Sequence, residues 1–232
     1  RLASRFIRAG AGISVRLLSN QSLAMFVWSF LDDYRDLAVL EDLVMFRIRL
    51  SDQLLEALTL AAIEAYCLGD GHGKTGSNRT KLETLGYIWG YKKITDIETV
   101  LFLDRMSVSL SARRGQDSVT ANEFAPQLKD NVVSRWSPQL MLLGDFHTHP
   151  FADLAEVNQI RGFEFSKQDL KSLLADDFLW EKSCNTPVNL VLTICKLGRV
   201  HDKWGGEWIR NNVWQYDIGE FRIWVNALVG FV

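Results

Sequence analysis

The sequence predicts an α+β fold, a mixed β-sheet flanked by helices, and three observations carry that reading. Segments with the two-residue period of strands alternate with segments of the 3.6-residue helical period, in the order strand, helix, two strands, helix, strand, helix, strand. Val188 to Leu197 is an unbroken apolar run, suited to a central strand buried on both faces. A second apolar run, opening at Leu142, ends in His147, Thr148 and His149.

Taken in order, residues 1–42 form an N-terminal extension. Its first 31 residues carry Arg1, Arg5, Arg8 and Arg16 and no acid, a pattern shared with transit peptides. An arm packed on the domain is the favoured alternative, with a short helix between Leu23 and Leu40. Residues 43–200 form the main domain. Leu43 to Leu50 alternates as a strand, Ser51 caps a helix, and Leu54, Leu58, Ala61, Ala62 and Ala65 line one side of it until Leu68-Gly69. The stretch Gly69 to Gly76 resembles a phosphate-binding loop but has Leu68 where glycine is required and follows a helix. It reads as a loop that leads to Glu83, with His72 as a candidate substrate contact.

Glu83 opens a strand whose Leu85, Tyr87 and Trp89 share its side, with Gly90 expected to end it and Glu98 to Asp104 returning as its partner. A polar linker follows. Thr120 to Trp136 then reads as a helix, with Phe124, Leu128, Val132 and Val133 on the side expected to face the core. Residues 201–232 form a tryptophan-rich C-terminal extension, in which alternation from Phe221 to Ala227 predicts a β-hairpin packed on the domain.

The chemistry concentrates between Leu142 and Leu170. Side chains two apart on a strand point the same way, so His147 and His149 share a face. Ser166 and Asp169, three apart at the start of a helix expected over Phe165 to Leu174, share another. Two imidazoles and one carboxylate make a three-ligand metal set, the pattern of catalytic zinc sites that leave one position to water. The same residues admit other readings. Ser-x-x-Asp is also an ordinary capping pattern, and two histidines with one carboxylate also suit a non-haem iron oxygenase.

His147-Thr148-His149-Pro150, Ser166-x-x-Asp169 and the upstream Glu83 together resemble the JAMM signature of the JAB/MPN metallopeptidases, over roughly Leu43 to Leu197. The resemblance implies that His147, His149 and Asp169 bind one Zn2+, that Glu83 is the general base, and that Ser166 helps to stabilise the oxyanion. It also implies a substrate: an isopeptide or peptide bond at the C-terminus of ubiquitin or a ubiquitin-like protein. A catalytically silent MPN-type scaffold is the alternative. One feature departs from the better-known members. The connection between His149 and Ser166 is longer, sixteen residues from Pro150 to Phe165, and is expected to wall the substrate groove with Phe151, Leu154 and Phe163.

Composition bounds the rest. Twenty-six basic and twenty-eight acidic residues leave a net charge of −2, which gives no global electrostatic case for nucleic acid or an anionic membrane surface. No apolar run reaches the length that crosses a bilayer. Cys67, Cys184 and Cys195, odd in number and without a C-x-x-C pair, fit a reducing, cytoplasmic setting.

Overall fold

The computed structural model describes residues 12–18, 43–68, 80–96, 98–201 and 206–231. The helix expected between Leu23 and Leu40, the 69–76 loop with His72, and Trp204 lie outside the described residues.

The fold is α+β. One eight-stranded mixed sheet runs in the order β1-β2-β4-β3-β7-β8-β10-β9, with β1 Gly12–Leu18, β2 Leu43–Leu50, β3 Leu85–Ile94, β4 Thr99–Val108, β7 Met141–Phe151, β8 Val188–His201, β9 Gly206–Arg210 and β10 Val213–Val229. A separate two-stranded ribbon, β5 Arg113–Arg114 with β6 Val119–Thr120, occupies the segment expected to be a linker. The strands β2 and β4 are parallel, as are β7 and β8, while the other neighbours are antiparallel.

Alternation sorts the side chains to two faces. On one, Ile88, Leu101, Leu143, Phe146, Leu190, Leu192, Ile223 and Val225 pack against Leu54, Leu58 and Ala62 of helix α1, Asp52–Cys67. Ser51 caps that helix as expected, its side chain accepting from Leu54 N. On the other face, Leu85, Tyr87, Trp89, Leu142 and Leu228 meet Ala125 of α2 (Ala125–Trp136), Leu173 of α4 (Lys167–Ala175) and Leu179 of α5 (Asp177–Lys182). Helix α3, Leu154–Ile160, covers the same face further along, where Val157 packs on Cys195, Val213 and Trp224.

Three details differ from expectation. The strand β3 continues four residues beyond Gly90, which follows a register shift against β4, the shift against β7 falling one residue earlier between Ile88 and Trp89; a Cβ at Gly90 would lie 1.8 Å from Phe102 O, so glycine permits a close backbone approach instead of ending the strand. Helix α2 begins at Ala125 and not at Thr120, because Pro126 fits only the first turn and disfavours helical backbone before it. Of its expected core side only Val133 packs inward, while Phe124, Leu128 and Val132 face solvent. The C-terminal hairpin is present as β9 and β10, and β10 pairs with β8 along ten residue positions from Gly219 to Val229.

Candidate metal centre

The strand β7 delivers both histidines at its carboxyl end, between β3 on one side and β8 on the other. Leu85 stands opposite His147, and the next step is clasped twice: Thr148 N donates to Thr84 O and Thr84 N donates to Thr148 Oγ1, each at 2.9 Å. Continuing that antiparallel register sets Glu83 across from His149. The chain before it is anchored by Glu83 N donating to Gly115 O of the β5–β6 ribbon. His147 and His149 share a sheet face, and Glu83, expected to open the strand but two residues before β3 begins at Leu85, is set toward the same face.

Helix α4 supplies the third ligand. Ser166 is its N-cap and forms a reciprocal capping box: Ser166 Oγ accepts from Asp169 N at 3.1 Å, and Asp169 Oδ2 accepts from Ser166 N at 2.6 Å. The cap and the ligand readings of this pair are therefore compatible, because capping is what fixes the carboxylate. It leaves Asp169 Oδ1 3.2 Å from His147 Nε2 and Oδ2 3.6 Å from His149 Nε2, while the two Nε2 atoms are 3.1 Å apart. Ligands about 2.0–2.1 Å from a tetrahedral zinc are separated by roughly 3.3 Å. The three separations, those to Asp169 running to its two different oxygens, lie within a few tenths of an ångström of that spacing. Among the described residues this is the one group of three or more His, Cys, Asp or Glu able to hold a metal ion.

The orientation of His149 follows from its other nitrogen. Nδ1 is 3.3 Å from Gly162 O, an acceptor, so Nδ1 carries the hydrogen and the Nε2 lone pair faces the other ligands. Gly162 O also accepts from Thr193 Oγ1 of β8 at 2.9 Å. The carbonyl reaches this place because α3 ends on Arg161 in the left-handed conformation and because Gly162 presses on the Phe151 ring, where a Cβ would lie at 2.4 Å. Phe163 stacks on Trp224 and its carbonyl accepts from Asn226 Nδ2. The long connection is thus built into a core cluster. Phe151, Leu154 and Phe163, expected to wall a substrate groove, pack inward against it.

Burial and charge tune the metal-free site. Burial pushes the Glu83 carboxyl up to about 7; the charge of His147 opposes this, and Asp169 and Asp117 add to it. His149 is pushed down to about 4, by burial first and then by His147. His147 goes the other way, because the hydrogen bond and charge of Asp169 outweigh its burial. For Asp169, burial is likewise overcome by His147, and its carboxyl falls to about 2.

Two residues beside this group escaped the sequence reading. Asp145 precedes His147 by two on the same face, accepts from Asn189 Nδ2 at 2.7 Å, and is pushed up to about 7 by removal from water. Asn189 is a polar residue within the stretch of β8 read as apolar throughout, and it is buried with its Oδ1 unsatisfied. A polar residue inside an expected two-faced buried strand was the available signal.

No protein-family model matches this chain, and no curated protein matches it either. No helix among the described residues is long and apolar enough to cross a membrane.

Proposed function

We propose that the protein is a JAMM-type zinc metallopeptidase that hydrolyses an isopeptide or peptide bond at the C-terminus of ubiquitin or a ubiquitin-like protein. The convergence of His147, His149 and Asp169 at tetrahedral spacing, with Glu83 on the same face, carries this reading. The donor set of two nitrogens and one oxygen suits zinc with an open position. When bound, zinc would bring the pKa of a coordinated water to about 7 and polarise a carbonyl.

The chain's own residues divide the remaining work. Glu83, its carboxyl tuned to about 7, takes a proton at neutral pH and returns it to the departing amine. Ser166 Oγ accepts from Asp169 N, which leaves its own hydroxyl hydrogen to donate to the oxyanion. Gly162 O and Thr193 hold His149 in its ligating tautomer. The ubiquitin-like substrate rests on the resemblance of the motif alone, and a cytoplasmic location rests on three free cysteines.

The test incubates the full chain, purified without added metal, with a panel of ubiquitin and ubiquitin-like conjugates, before and after a chelator. Metal analysis on the same preparation accompanies it. Cleavage that stops on chelation and returns with zinc is the expected result. Stoichiometric iron would favour an oxygenase, and zinc-loaded protein inert toward the whole panel would favour a silent MPN-type scaffold.

A further inference from the structure

Helix α2 presents its apolar row outward. Phe124, Leu128, Val132 and Trp136 recur every four residues and are 70%, 67%, 50% and 82% exposed. Ala125 and Val133 pack the helix on the sheet, and polar contacts join them: Asp130 accepts from Trp89 Nε1 at 3.1 Å and pairs with Lys182 at 3.3 Å, and Lys129 Nζ donates to Ser107 Oγ and Val108 O. The ordinary amphipathic arrangement is departed from here: the larger apolar side chains point out while Lys129 and Asp130 point in. A contiguous exposed row of this size marks an interaction surface.

We propose that this row binds a second copy of the chain, with the two α2 helices antiparallel about a two-fold axis near residue 130. A two-fold contact requires a patch complementary to itself. Positions equidistant from 130 meet, so Phe124 lies on the partner's Trp136 and Leu128 on the partner's Val132. Aromatic rings stack on rings at the two ends and aliphatic groups fill the middle. The charges agree with this direction: Glu123 flanks the amino end of the row and Arg135 its carboxyl end, both exposed. Antiparallel packing leaves Glu123 and the partner's Arg135 two residues out of register, about 3 Å along the axis and within reach of two long side chains, and sets opposite helix-dipole ends side by side, whereas parallel packing would set like against like.

Area sets the strength. The four side chains expose roughly 500 Å² per copy, taking aromatic rings at 150–250 Å² each when fully buried. A standard interface uses about 800 Å² per partner, so the dimer is weak and its population depends on concentration.

Sedimentation velocity on the full chain, from micromolar to sub-millimolar concentration, tests the proposal. The mass should rise from monomer toward dimer, and Leu128→Glu should weaken association at least about tenfold, as truncating a central anchor does. Leu128 touches solvent, so circular dichroism and metal content should be unchanged in that variant. Glu123→Arg and Arg135→Glu should each weaken the dimer, and the double variant should recover it. A wild-type chain that stays monomeric throughout, or a dimer indifferent to Leu128→Glu, overturns the interface. Failure of the double variant to recover overturns the antiparallel pairing.

Discussion

His147 and His149 stand two residues apart on one strand, with their Nε2 atoms 3.1 Å apart, yet their surroundings drive them in opposite directions. His147 faces a carboxylate at 3.2 Å and holds a proton more tightly than a free imidazole; His149, whose far nitrogen is fixed by a carbonyl, is kept neutral down to about pH 4 by burial and by the charge of His147. Both are buried, so burial alone does not explain the split. The difference is the charge each one meets: Asp169 hydrogen-bonds His147 and holds its proton, whereas His149 lies beside the charge of His147. A carboxylate beside Nε2 competes with a metal by stabilising a proton there, whereas an acceptor beside Nδ1 leaves Nε2 bare and aimed. One ligand is held ready by its support, and the other must be vacated first.

Removing the carboxylate breaks this contrast most severely. Asp169→Ala should lose metal by more than the roughly 100-fold that an outer partner costs, and in the metal-free protein the titration midpoint of His147, followed by NMR, should fall toward that of His149. Stoichiometric zinc in this variant would remove Asp169 from the ligand set. Next comes Glu83→Gln, which keeps shape but not basicity: turnover should drop about 100- to 10,000-fold while zinc stays bound. Loss of zinc together with activity would make Glu83 a ligand, and full activity a bystander.

The pH dependence sharpens the same comparison. Because its folded-state pKa is raised above 6.5, His147 stabilises the metal-free fold below pH 6.5 and loses that contribution as pH rises through the raised value. The sign for His149 is reversed: its neutral form contributes above pH 6.5, and the contribution is lost as pH falls toward about 4. Melting curves of metal-free His147→Gln and His149→Gln across this range should therefore diverge from wild type with opposite pH slopes. Slopes of the same sign would refute the assignment of supports. Metal affinity should also drop by about tenfold per pH unit below the His147 midpoint, one proton being displaced. The smallest effect is Thr193→Val, which withdraws one donor from Gly162 O. It should lower metal affinity by up to about tenfold and leave the His147 midpoint where it was.

The sequence made the ligand strand, the ligand helix and the central apolar strand readable because each rests on local periodicity. His147, His149 and Asp169 do come together, which follows from two facing directions and one cap. What stayed hidden was set by contacts between distant segments. Periodicity located the apolar row of α2 but not the side it faces, which Trp89 and Lys182 decide by pairing with Asp130. The helix α3 was read as a loop, since its seven residues are too few for a period to emerge. The support of His149 is a backbone carbonyl, and carbonyls leave no mark in a sequence. Gly90 was read as punctuation because glycine signals both an ending and a close approach, and only the neighbouring Phe102 tells them apart.

The strand β10 has a consequence for the order in which the centre is finished. Its Trp224 and Asn226 brace the connection that carries Gly162, yet they come 75 and 77 residues after His149. A chain emerging from the ribosome has all three ligands outside long before that brace exists. During the interval it offers imidazoles and a carboxylate with no fixed tautomer at His149, a loose chelate open to whichever cation is abundant. For the proposed metal, selective loading would belong after synthesis of β10, when the hairpin has joined the sheet and the geometry can discriminate.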